Sequence, residues 1–127
     1  MEIEHVTSIA DALKTVQNSS DCIRVTIDKT DWLYDVDRNE VEQLYHRFDA
    51  LFLAYLDFFI RELGPPAYIE ANDREHVDGW YPEAIQLSSW HRSKDHIFLA
   101  FAHHDQETPI FIELGSISQL EIDELSQ

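Results

Sequence analysis

The sequence predicts an α+β domain: a mainly antiparallel sheet of four to five strands, with a long central helix and shorter terminal helices packed on it. Three observations predict it. Segments of period two crowd the second half of the chain, one unbroken helical run from Asp37 to Leu63 fills its middle, and helix-capping pairs mark both ends. Strands that follow one another without intervening helices pair antiparallel, which places the helices on one face of the sheet.

Taken in order, Ser8 with Asp11 forms a helix start, and Ile9, Ala12, Leu13 and Val16 then share one helical face until Asn18-Ser19-Ser20 breaks the pattern. From Cys22 to Ile27 the period becomes two, with Ile23, Val25 and Ile27 on one side and Arg24 and Thr26 on the other, a half-buried strand. Cys22, the only cysteine, reads as a small buried residue of that strand, outside any metal or redox spacing. Asp37 and Glu40 then make a capping box, and Val36 and Val41 the matching hydrophobic staple.

The helix they open continues through Leu44, Tyr45, Phe48, Leu51, Phe52, Tyr55, Leu56, Phe59, Ile60 and Leu63 until Gly64-Pro65-Pro66 stops it. At about 1.5 Å per residue it spans roughly 40 Å. Leu53, Ala54 and Phe58 add a second apolar face. Such a helix is either covered on two sides, the commoner arrangement in a small domain, or paired with a second copy, which makes it a candidate homodimer surface.

Ala67-Tyr68-Ile69 reads as a short edge strand. After the polar stretch Glu70 to Gly79 comes a meander: Ala84 to Trp90, Ile97 to Ala102 (apolar on both faces, as in a central strand) and Ile110 to Leu114. Ser118 with Glu121, and Ile117 with Ile122, form a second capping box and staple, so the described order closes on a short helix through Leu125.

At 127 residues the chain has the size of a single domain, 1–127, and its 44% hydrophobic content is enough to bury one core. Charge is the unusual feature: 25 acidic residues against 9 Lys and Arg leave a formal net charge of -16. Such a field repels nucleic acid and anionic membranes and speeds encounter with cationic surfaces. The longest apolar run, Ala50 to Leu56, is too short to cross a bilayer, and Met1 to His5 offers no basic region of a secretory signal, so the expected setting is the cytoplasm.

Motifs for chemistry are scarce. His91, His96, His103 and His104 crowd together with Asp105 and Glu107, but a strand from Ile97 to Ala102 holds His96 and His103 roughly 20 Å apart at about 3.3 Å per residue. The pairs that remain offer too few ligands for a closed zinc site, so these read as hydrogen-bonded turn histidines. Asp35-Val36-Asp37 fails as a calcium loop, since Glu40 stands where glycine is needed and His46 where glutamate is needed. Three glycines leave no phosphate-cradling loop, and no nucleophile motif is present. No cofactor and no catalytic residue is expected.

Two loops stand out instead. Asp28 to Asp37 carries Asp31, Trp32, Tyr34, Asp35 and Asp37; Glu70 to Glu83 carries Asp73, Glu75, Asp78, Trp80 and Tyr81. Aromatic anchors beside carboxylates suit recognition of a basic protein surface, because the rings supply desolvated contact area while the acids take arginine or lysine. These ten residues are the predicted partner-binding set. In the competing reading the aromatics close the ends of the core.

A small, acidic, single α+β domain with acid-aromatic loops and no catalytic signature resembles the bacterial immunity proteins that neutralise toxins, often nucleases. The resemblance covers the whole chain in type and transfers no residue by position. It implies an antitoxin made in the cytoplasm and a one-to-one complex with a basic toxin domain. Two alternatives stay open. One is a DNA mimic with carboxylates in rows along an extended face; the other is an enzyme or small-molecule binder with a pocket between sheet and long helix.

Overall fold

The computed structural model describes residues 2–3, 8–19, 22–71, 81, 84–93 and 95–125, with side chains over 8–19, 22–67, 81, 84–93 and 95–124. The elements are β1 (Glu2–Ile3), α1 (Ile9–Asn18), β2 (Arg24–Lys29), α2 (Arg38–Leu63), β3 (Tyr68–Ala71), β4 (Ala84–His91), β5 (Asp95–His103), β6 (Ile110–Ser118) and α3 (Gln119–Leu125). The strands form one sheet in the order β1-β2-β6-β5-β4-β3. All pairings are antiparallel except that of the two-residue β1, which runs parallel to β2 and which the sequence did not signal. An α+β fold with a long helix packed on a mainly antiparallel sheet is therefore what the chain adopts.

The helix signals act through the predicted atoms. The Ser8 side chain accepts from Asp11 N–H, Asp37 Oδ1 from Glu40 N–H at 2.8 Å, and Ser118 Oγ from Glu121 N–H at 3.1 Å, each satisfying an end donor that the helix itself cannot. Gly64 ends α2 at φ 89°, a conformation open to glycine at little cost, and its N–H returns to Ile60 O.

Strand alternation gives the sheet two unlike faces. On one, Val25, Leu99, Phe101, Ile112, Leu114 and Trp90 meet Ala12, Leu13 and Val16 of α1 and the buried Phe48, Phe52 and Phe59 of α2. Aromatic edges dominate: the Phe48 and Phe101 centroids lie 6.2 Å apart and those of Phe59 and Trp90 6.4 Å apart, while Trp90 Nε1–H donates to Gly64 O. The other face buries smaller groups, Ala84, Ala100 and Ala102, around Leu87, Phe98 and Tyr81. Gly115 lies there too; a Cβ on it would stand 2.7 Å from the Phe98 ring and 2.8 Å from Ile23 O.

Four expectations need correction. Ile122 of α3 packs beside Ile117 on this second face, so the helices are not all on one side. The second apolar face of α2 is covered only in part: Phe58 is half-buried against the core, but Leu53 is 52% exposed and Ala54 is exposed, because one layer of sheet meets only one side of the helix. Cys22 is exposed, since the strand begins two residues later at Arg24. Glu113, a charged residue that alternation around Phe111 and Glu113 in the last meander strand would turn outward, is 4% exposed, because the Tyr81 hydroxyl and Arg24 meet its carboxylate. No described helix is long and apolar enough to cross a membrane.

Candidate functional site

The acid-aromatic loop between β2 and α2 is pinned by backbone bonds. Thr30 N–H donates to Ile110 O, Ile110 N–H to Thr30 Oγ1, and Leu33 N–H to Glu107 O at 2.8 Å, so the loop prolongs the β2–β6 ladder up to the β5–β6 turn. Leu33 is buried in the main core and Val36 packs against it. With Leu33 turned inward, the residues on either side of it turn outward: Trp32 is 57% and Tyr34 58% exposed.

The two rings lie stacked, 5.8 Å between centroids and 6° from parallel. Asp31, Asp35 and Asp37 are exposed around them. Asp35 takes φ 59°, a left-handed position that aspartate tolerates better than most side chains and that turns the chain into the α2 cap.

Beside the stack an open cleft of about 890 Å³ runs between this loop, the first turns of α2 and the β5–β6 turn. Asp35, Asp105 and Glu107 line it, with Arg38 the only Lys or Arg among its lining residues. Arg38 pairs with Glu42 at 3.5 Å, whereas Asp31, Asp35, Asp37, Asp105 and Glu107 form no ion pair among the described residues.

Tyr45 and His103 also line the cleft. His103 Nε2 lies 3.0 Å from Thr108 O, which can only accept, so Nε2 carries the proton and Nδ1 accepts from the Tyr45 hydroxyl at 2.6 Å. The turn is closed by Thr108, whose hydroxyl accepts from Asp105 N–H and donates to Asp105 O. The arrangement offers a rigid, electronegative mouth beside a flat aromatic platform, suited to holding a cation.

The predicted residues divide three ways. Asp31, Trp32, Tyr34, Asp35 and Asp37 are all exposed along the one loop between β2 and α2. Asp73, Glu75, Asp78 and Trp80 lie outside the described residues. Tyr81 is 3% exposed and donates its hydroxyl to the buried Glu113, with the Arg24 guanidinium 5.8 Å over its ring, so it belongs to the interior and not to a docking surface. Asp105, Glu107, Tyr45 and His103 were missed as members of the site. Their only signal was the turn linking two strands, which brings its acids to the sheet end where the other loop stands.

Elsewhere the titratable groups serve structure. His91 and His96 face each other across the β4–β5 hairpin at 4.1 Å between centroids, and His96 Nε2 is 2.6 Å from Gln119 Oε1. Although Cys22 is exposed, partial desolvation, with Glu121 and Asp95 beside it, raises its thiol against a backbone hydrogen bond with Ser118 that lowers it, and so disfavours a reactive thiolate. Burial and then Asp28, which accepts from the Tyr55 hydroxyl, raise the Tyr55 phenol. Among the described residues no group of three or more His, Cys, Asp or Glu is placed to hold a metal ion. No protein-family model, curated protein or solved structure matches the chain.

Proposed function

We propose that this chain is an acidic, non-enzymatic inhibitor of the immunity-protein class, which neutralises a basic toxin domain in the cytoplasm by binding it directly. The observation that carries the reading is the outward stack of Trp32 on Tyr34, surrounded by carboxylates that no described cation neutralises. Two large rings held in contact with water have no role in the core; covered by a partner, they supply anchors of the kind that dominate protein interfaces. Asp31, Asp35 and Asp37 face the same partner, and the cleft acids give depth for a lysine or arginine side chain. Net charge sets the sign of the long-range attraction and speeds encounter.

Asp31, Asp35, Asp37, Asp105 and Glu107 stand at one end of the sheet beside the exposed rings, which supports a loop-based protein binder. The space between sheet and α2 is filled by Phe48, Phe52, Phe59, Phe101 and Trp90, and the cleft opens only at the end of that layer, beside the loop.

The test is calorimetric titration against candidate basic toxin domains, the products of genes adjacent to that of this chain being the first to try. One-to-one binding is expected, weakening as salt is raised. Trp32→Ala should weaken it by about 30-fold or more, and Asp35→Asn by a smaller factor. Absence of a complex, or a complex indifferent to both substitutions and to salt, would remove the reading.

A further inference from the structure

The outward face of α2 carries an order of its own. Gln43, Arg47, Ala50, Ala54, Asp57 and Arg61 are all exposed and recur at spacings of four, three, four, three and four. Any stripe along a helix has this spacing; this one, on the side of α2 away from the sheet while Phe48, Phe52 and Phe59 face the core, is set apart by its content, two alanines at the centre flanked by opposite charges.

We infer that this seam pairs α2 with α2 of a second copy, antiparallel, about a twofold axis at the level of Phe52. The order is complementary to itself in that register: Ala50 meets the partner's Ala54, Arg47 meets the partner's Asp57, and each contact occurs twice, as a closed twofold interface requires. Arg47 forms no ion pair among the described residues; its guanidinium lies 5.2 Å from the Phe48 ring centroid, and its flexible stem lets the charge turn from that ring to a carboxylate. Asp57 holds Arg61 at 2.8 Å on the exposed surface, and this weak pair can be shared with Arg47 of the other helix.

Alanine at the two central positions lets the axes approach to about 8 Å, the lower end of the usual range. Leu53, one of the exposed large apolar residues, flanks the alanines and gains cover. The seam extends over roughly 27 Å of helix, so the interface is below the standard size and the dimer weak, with a dissociation constant of about micromolar or higher. The Trp32 loop lies beyond the N-terminal end of α2, and pairing about Phe52 holds the two loop surfaces at opposite ends of the dimer.

Each copy carries -16, so repulsion opposes association at low ionic strength, and screening strengthens it. This salt response is opposite in sign to that of a complex with a basic partner, so the two associations are told apart in one protein. The test is sedimentation velocity over a range of protein concentrations, in about 0.05 M and about 0.5 M salt.

A concentration-dependent dimer, tighter in high salt, is expected. Arg47→Asp and Asp57→Arg should each weaken it at least about tenfold by opposing like charges, and the double exchange should restore it. Trp32→Ala should leave it unchanged. Both charge positions are exposed, and circular dichroism checks that the fold persists. A monomer at the highest concentration in high salt, single reversals without effect, or a double exchange that fails to restore the dimer would each overturn the inference.

Discussion

Tyr34 and Tyr81 keep the same company in the chain, a tryptophan within two residues and several acids, yet one ring is 58% exposed and the other 3%. The difference lies in what each backbone meets. At Tyr34 the buried residue is Leu33, held by its N–H on Glu107 O, and alternation throws both neighbouring rings outward. Tyr81 reaches a carboxylate already inside, Glu113 on β6, which satisfies its hydroxyl and lets the ring join the small-residue face. Tyr55 stands between them, half-buried, with its hydroxyl on Asp28. An acid beside an aromatic therefore marks a binding surface only where no interior acceptor captures the ring.

Substitutions can break or sharpen this contrast. Leu33→Ala should have the largest effect, about 3 kcal/mol, because it removes a buried side chain and with it the anchor that turns Trp32 and Tyr34 outward. Chemical denaturation would measure the loss, and quenching of Trp32 fluorescence would report the released loop. Tyr81→Phe comes next at about 2 kcal/mol: it leaves the ring in place and withdraws the hydroxyl donor from a buried carboxylate. A stability equal to wild type would show that Glu113 does not need that donor.

Tyr55→Phe should cost under about 1 kcal/mol at neutral pH, since its hydrogen bond is long, at 3.3 Å, and half-exposed. Its signature is in alkali. The folded phenol titrates above its ordinary value of 10.0, so the unfolded chain loses this proton first, and stability is intact below that pH and falls as pH rises through the raised folded value. A denaturation series across that window should show less of this fall in Tyr55→Phe than in wild type. Trp32→Ala should be smallest, within about 0.5 kcal/mol, for a ring that the fold does not bury. A large loss there would place Trp32 among structural residues and undercut its assignment as an anchor.

Much of the fold was legible because its signals are local. Asp37 caps α2 and Ser118 caps α3 through the atoms that the capping pattern names, and β4, β5 and β6 cover every segment read as a meander strand. What was not legible depends on partners distant in sequence. The two-residue β1 has no period to read, the register of β2 against β6 shifts between Thr26 and Asp28, and Glu113 looks solvent-facing until Tyr81 and Arg24 arrive. Leu53 misled for the opposite reason: apolar residues on two sides of a helix imply two covers, and the chain supplies one. Of the site, Trp32 and its acids were legible as a composition, whereas Asp105 and Glu107 join it only through a ladder that closes across the sheet.

The strand order carries a last consequence, for the birth of the molecule. β6 lies between β2 and β5, so the strand made early and the hairpin made later share no edge until the final strand slides between them. During synthesis α1, β2 and α2 leave the ribosome with their apolar sides uncovered, and they must wait for β6 before the sheet can close. Nucleation is thereby delayed, contact order is high, and the waiting chain exposes Phe48, Phe52 and Phe59 to any chaperone or neighbour that reaches them first.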